Sequence, residues 1–183
     1  ISDDPIERWT DDLTVSQGEI GEITVKAALV SRRYFENPAA DALAKITEGN
    51  QIRHRMGDLG WMDEKGRLWF CGRKSHRVVT TEETLFTIPC EAIFNNHPRV
   101  FRSALVGIGL RLQQRPVIVV ELEKTGTHGR HRKLEKELLG MAAANKLTKS
   151  IQTVLFHKAF PVDIRHNSKI FREKLAIWAE KII

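Results

Sequence analysis

Cysteine is scarce in this chain: two residues among 183 cannot staple a small secreted scaffold. Cys71 and Cys90 also lack the close spacing of a metal knuckle, so they read as reduced thiols of a cytosolic protein. No apolar run approaches the roughly 20 residues that a membrane helix needs. No charged-then-apolar leader opens the chain either. The expectation is a cytoplasmic protein with no membrane span. The first residue is Ile1 rather than methionine, which reads as a processed or truncated piece of something longer.

Several chemical signatures are missing as well. There is no G-x-x-x-x-G-K loop, no G-x-G-x-x-G opening a helix and no G-x-S-x-G elbow. Gly107 and Gly109 in "VGIGL" follow an apolar run, but no phosphate loop continues from them, and they read as a strand end. His128 and His131 stand three apart with neither a third ligand nor a carboxylate partner, so no metal site is expected.

What the chain does contain is an ordinary globular mixture, with 42% hydrophobic and 28% charged residues, at a length that fits one or two compact units. The net charge of +6 raises the question of a nucleic-acid partner. Basic residues are interleaved with acids, as in "HGRHRKLEKELL", and no ribonucleoprotein motif, zinc finger or basic helix accompanies them. A surface favouring anionic small ligands is the better reading, and a non-catalytic basic binding module is the remote alternative.

Local patterns divide the chain. "GEITVKAALV" offers a strand in which Ile23 and Val25 alternate with Thr24 and Lys26. Asn37-Pro38 can open a short helix. "LGWM" and "RLWFCG" flank Asp63-Glu64-Lys65-Gly66, a hairpin with Gly66 suited to a positive φ. "GRKSHR" is short, polar and basic, as a linker between two units would be. Beyond it, strand and helix alternate. "PCEAIFNNHP" is a short helix, "VFRSALVGI", "PVIVVELE" and "IQTVLFH" are strands, and Leu134, Leu138, Met141 and Asn145 recur at helical spacing. A terminal helix places Phe171, Leu175, Trp178 and Ile182 along one face. The region from about residue 74 is a small α+β unit, a sheet covered by helices.

Four stretches then occur in order: "GEIGEITV", "YFENP", "HRMGDLGWMDEKGRLWFCGR" and "NSKI". Together they resemble the C-terminal part of the adenylate-forming enzymes, the superfamily of acyl-CoA synthetases, luciferases and nonribosomal adenylation domains. The resemblance runs from Gly18 to Leu175, and "GDLGWMDEKGRLWFCGR" is its most specific segment. It implies an α+β chain. Residues 1–73 would end a large N-terminal lobe with a β-rich, barrel-like subdomain, and residues 74–183 would form a small mobile domain, a short sheet flanked by helices.

The resemblance also implies roles. Asp58 of the G-D motif would accept hydrogen bonds from the ribose hydroxyls of ATP, and Arg73 of the G-R pair would hold the ribose and phosphate region. Lys74 and Ser75 would lie at the hinge. Lys169, matching the family's terminal lysine motif together with Ile170 and Arg172, would be catalytic, projecting from a polar loop just before the last helix. ATP and Mg2+ would be the cofactors, bound mainly by a lobe absent from this sequence, so the chain alone is not expected to be active. The implied partners are a fatty-acid-derived small molecule and the rest of the lobe, with other pathway enzymes as further candidates and no nucleic acid.

Two departures from the family pattern narrow the reading. Ser168 replaces the glycine before the lysine. In "HRVVTTEETLFTIPCE", Val79 stands where many thioester-forming members have a basic residue, and no glycine appears before Pro89. "GRKSHRVVT" with "RHNSKIFREKLA" resembles one branch, the β-lactone synthetases of bacterial long-chain olefin biosynthesis. In that branch the substrate's own hydroxyl displaces AMP and no thiol is delivered. A long-chain fatty acyl-CoA ligase is the alternative within enzymes.

Overall fold

The hairpin around Asp63 is the spine of the first of two units into which the chain divides, Ile1–Ser75 and His76–Ile183. The computed structural model describes residues 1–124, 131–165 and 169–183. In the first unit the elements are β1 (Gly21–Lys26), α1 (Pro38–Ala44), β2 (Lys45–Glu48), β3 (Gln51–Met62) and β4 (Leu68–Arg73). Helix α1 begins where the Asn-Pro signal placed it. The Asn37 side chain accepts the Ala40 N–H at 3.1 Å, and Pro38 gives up an N–H that a first turn does not use.

Strand β3 organises this unit. It pairs antiparallel with β1 along one edge and with β2 and then β4 along the other. The sheet stays open. Among the described residues β1 and β4 have β3 as their sole strand partner, and a barrel needs its edges joined. The barrel-like character expected of this region is thus a four-stranded open sheet. A register shift between Glu22 and Thr24 also interrupts the expected alternation of Ile23 and Val25, and Val25 stays exposed.

The second unit contains β5 (Val78–Val79), β6 (Thr84–Leu85), α2 (Thr87–Asn95), β7 (Val100–Ile108), β8 (Arg115–Leu122), α3 (His131–Ala143), β9 (Val154–Phe156), β10 (Val162–Asp163), β11 (Lys169–Ile170) and α4 (Arg172–Glu180). Its central sheet runs β7-β8-β9, antiparallel then parallel. Residues of β8 are buried on both faces, which is why it reads as a continuous apolar run rather than an alternating one. Ile118 and Val120 join Leu105, Phe94 and α3's Leu134 and Leu138 in one cluster. Val117 and Val119 join Val106, Phe160, Leu175 and Ala179 in the other. The sheet is therefore sandwiched, with α2 and α3 over one face and α4 over the other.

Both amphipathic helices are shorter than their sequence stripes. Helix α3 ends at Ala143, so Asn145 lies beyond it, and Ala142 rather than Met141 is fully buried. Helix α4 buries Leu175 and Ala179. Phe171 stands at its N-cap, and Ile182 falls outside the helix and is exposed.

Candidate functional site

The G-D and G-R motifs face each other across one ladder. Asp58 and Arg73 are directly paired residues of β3 and β4, and Arg73 Nη1 donates to Asp58 Oδ1 at 2.8 Å. Each is preceded by a glycine in a conformation that side-chain-bearing residues rarely adopt, Gly57 at φ 68° and Gly72 at φ 117°. For Gly57 the reason is backbone shape rather than crowding, since an added Cβ would meet nothing closer than Arg73 Nη2 at 3.8 Å. As directly paired residues of the antiparallel ladder, Asp58 and Arg73 project from the same face of it. Among the described residues Asp58 uses only Oδ1 in this contact, so Oδ2 is left to accept from hydroxyl groups.

The turn that closes this ladder is held by Asp63. Its carboxylate accepts the Lys65 and Arg67 N–H groups, Arg67 Nε at 2.7 Å and the Trp69 indole N–H at 2.9 Å. The Trp69 bond, followed by the Arg67 N–H, brings the carboxyl down to about 2. Gly66 sits at φ 73° in the turn, and Trp61 and Trp69 stack across the strands with centroids 5.7 Å apart. A groove of about 410 Å³ runs along this turn beside Gln17, Trp61 and Arg67, and Asp58 and Arg73 do not line it.

Lys74 and Ser75 lie in a short 3-10 turn, Lys74–His76, at the end of the first unit. Lys74 Nζ donates to Glu22 Oε2 at 3.1 Å, and the buried Arg55 donates to the same oxygen at 2.7 and 2.9 Å. Arg55 also binds the Ser2 and Asp4 carbonyls at 2.6 and 2.8 Å. A residue expected at a hinge is thus tied by charge to β1 and β3. No local pattern marks this network, because its members lie 33 to 72 positions apart.

In the second unit the segment around Val79 makes its turn without glycine. The Thr80 hydroxyl accepts the Glu82 and Glu83 N–H groups at 3.1 and 2.9 Å, closing the β5–β6 hairpin. The Val79 N–H donates to Gln114 Oε1 at 3.1 Å.

Lys169 is exposed, but it belongs to a strand rather than the loop expected for it. It pairs with Asp163 in the two-residue ladder of β10 and β11. His166, Asn167 and Ser168 lie outside the described residues. The base of this hairpin is pinned, with the Phe171 N–H donating to the Pro161 carbonyl at 2.9 Å and the Phe160 N–H to Glu121 Oε2 at 2.7 Å. Three residues after Lys169, Arg172 makes a fork to Glu91 of α2 at 2.6 and 2.8 Å. Burial pushes the Glu91 carboxyl up from its ordinary value, while Arg172 and the Leu105 N–H pull against it. Sequence reasoning missed Glu91, which "PCEAIF" presents as an ordinary helix residue.

The remaining candidates are quiet. Cys71 and Cys90 are free and buried, and burial pushes the Cys90 thiol up to about 12. His128 is outside the described residues, and His131 packs edge-on against Phe156 at 4.8 Å. Among the described residues no group of three or more His, Cys, Asp or Glu could hold a metal ion, and no helix is long and apolar enough to cross a membrane.

The fold of this chain recurs in solved structures of synthetases and CoA ligases. ATP-bound MatB from Rhodopseudomonas palustris has this fold over 98% of the chain and 34% of its own length, with a TM-score of 0.75 at 21% identity. No family model matches the chain. By sequence the chain is similar to enzymes of the adenylate-forming superfamily. It is 47% identical to the olefin β-lactone synthetase of Xanthomonas campestris pv. campestris and 45% identical to that of Stenotrophomonas maltophilia, each over 98% of this chain and 33% of the relative. It is 32% identical to the 2-succinylbenzoate–CoA ligase of Bacillus licheniformis over 50% of this chain and 18% of that enzyme. The chain therefore spans about a third of the length of the curated relatives it matches.

Proposed function

We propose that this chain is part of an ATP-dependent, AMP-forming enzyme that converts a 2-alkyl-3-hydroxy fatty acid to a β-lactone. The observation carrying the proposal is the extent of likeness. The olefin β-lactone synthetases match along 98% of the chain, whereas the CoA ligase matches along half of it. In the first step a carboxylate oxygen attacks the α-phosphorus of ATP and pyrophosphate leaves. In the second, the 3-hydroxyl oxygen attacks the acyl carbon, AMP leaves and the hydroxyl proton is released, closing a four-membered ring.

Each named side chain suits a part of this chemistry. The Asp58 carboxylate accepts from the vicinal ribose hydroxyls, and Arg73 holds Asp58 in place while offering its remaining donors to the nucleotide. Lys169 supplies a point charge to the oxygens that gain negative charge as pyrophosphate departs. Rotation about Lys74 and Ser75 separates the two half-reactions. A magnesium ion accompanying the nucleotide has no fitting ligand cluster among the described residues, and none of these roles depends on one. The rest of the N-terminal lobe is the proposed structural partner, and the cytoplasm the proposed compartment.

The threonine-closed turn after Val79 favours an internal acceptor over a delivered thiol, while the half-length likeness to a CoA ligase keeps a fatty acyl-CoA ligase as the second reading. Product analysis separates them. Full-length protein with ATP and a 2-alkyl-3-hydroxy acid should release AMP without coenzyme A and yield the acid less one water. A product that forms only with coenzyme A, and is a thioester, would overturn the proposal.

A further inference from the structure

Glu91 is an acid in an apolar setting. It lies on α2 between Cys90 and Phe94, both core residues, and is itself 5% exposed. Its carboxylate gathers three elements. Oε1 accepts the Leu105 N–H of β7 at 2.9 Å, and both oxygens accept from Arg172, the first residue of α4. Strand β7 is the edge of the central sheet, with β8 on its other side. The carboxylate therefore caps an edge N–H and clasps α2 to α4 around that edge.

Stability alone is a weak reason for such a pair, because apolar residues of similar volume commonly serve a core as well or better. A bidentate fork does something an apolar contact cannot, which is to fix both distance and orientation. Helix α4 needs that fixing. Its N-cap, Phe171, makes no side-chain capping bond, so the Glu91 carboxylate takes the place of a local anchor. Only Ile170 of β11 and Phe171, whose N–H is bonded to the Pro161 carbonyl, stand between Lys169 and Arg172, so a shift of Arg172 carries to the lysine through two residues and no slack loop. The other side is held by the pairing of Lys169 with Asp163 and by the Phe171 N–H on the Pro161 carbonyl.

We infer that the Glu91–Arg172 ion pair is the positioning device for Lys169, setting where its ammonium stands during adenylate formation. The inference rests on the role proposed for Lys169 above. Neither Glu91 nor Arg172 need touch the reactants; both act through the lysine.

The test measures substrate-dependent pyrophosphate exchange in full-length protein, with thermal midpoint and ATP affinity recorded alongside. Glu91→Gln and Arg172→Lys are each made in the wild type and in Lys169→Ala. Glu91→Gln keeps an acceptor for Leu105, and Arg172→Lys keeps the charge while losing the fork, so the second variant carries the test if the first folds poorly. With Lys169 present, each should lower exchange by about tenfold to a hundredfold, as misplacement of a reacting group by about an ångström does, with ATP affinity held. On Lys169→Ala, neither should lower exchange further. Equal losses in both backgrounds would show a purely structural pair and overturn the inference. Unchanged exchange in Arg172→Lys would also overturn it, while leaving the role of Lys169 intact. Wild-type exchange in Lys169→Ala itself would sink the proposed role of the lysine and the inference with it.

Discussion

The two units hold themselves together in different ways. In His76–Ile183 the apolar side chains of one sheet are buried on both faces, in two clusters. In Ile1–Ser75 the fully buried apolar residues are Ile46, Leu59 and Cys71, while Leu29 is 98% and Phe35 89% exposed. Met62, Leu68, Trp69 and Phe70 are also exposed along the β3–β4 ribbon. Beside the ladders of its sheet, this unit carries charged contacts, notably Arg55 and Lys74 on Glu22 and the ring of donors around Asp63. The contrast separates a unit with two apolar clusters of its own from one that has little apolar core within this chain. Hydrophobic burial is the dominant stabilising term in folding, so only the first should stand alone.

The largest effect that would sharpen this contrast is separation. Residues 76–183 expressed alone should unfold in one cooperative thermal transition, and residues 1–75 alone should show none by near-ultraviolet circular dichroism. A cooperative transition in the shorter piece would break the comparison. Next in size are single core substitutions. Leu138→Ala, at a fully buried site in the second unit, should cost about 2 to 5 kcal/mol. Phe35→Ser, at an exposed site in the first, should stay within about 0.5 kcal/mol in chemical denaturation of the same chain.

A smaller effect concerns acid. Asp63 is lowered from its ordinary 3.8 to about 2, so the stabilisation it gives the hairpin is fully present above about pH 4. It fades as pH falls toward 2 and is lost below that. Trp69 fluorescence should report loosening in that window, and Asp63→Asn should remove the transition while leaving the second unit's helical signal unchanged.

How much of this was legible in the sequence follows the range of the interactions. Asn37-Pro38 and Asp63 to Gly66 act over a few residues, and both elements lie where their residue types placed them. Strands β7 and β8 were legible because burial on both faces leaves a continuous apolar run. Helix ends were less so, because Met141, Asn145 and Ile182 continue a periodic stripe that the chain abandons to turn. Lys169 looked like a loop residue because a two-residue strand has no pattern of its own. Its partner Asp163 lies across a segment that sequence cannot close by inspection. The Glu91–Arg172 fork spans 81 positions, and nothing in either local stretch marks it. The Asp-Arg pairing of the site was legible only as two motifs, and the register of β3 on β4 made them one feature.

The division of labour proposed for the two units meets its most direct test in one side-by-side measurement, ATP affinity and substrate-dependent pyrophosphate exchange in full-length Asp58→Ala and Lys169→Ala. Asp58→Ala should weaken ATP binding by about tenfold to a hundredfold, as loss of charge-assisted hydrogen bonds does. Lys169→Ala should bind ATP normally and lower exchange by about a hundredfold to a thousandfold, the loss typical of one donor to a developing charge. Wild-type exchange in Lys169→Ala, or unchanged ATP affinity in Asp58→Ala, would contradict the account.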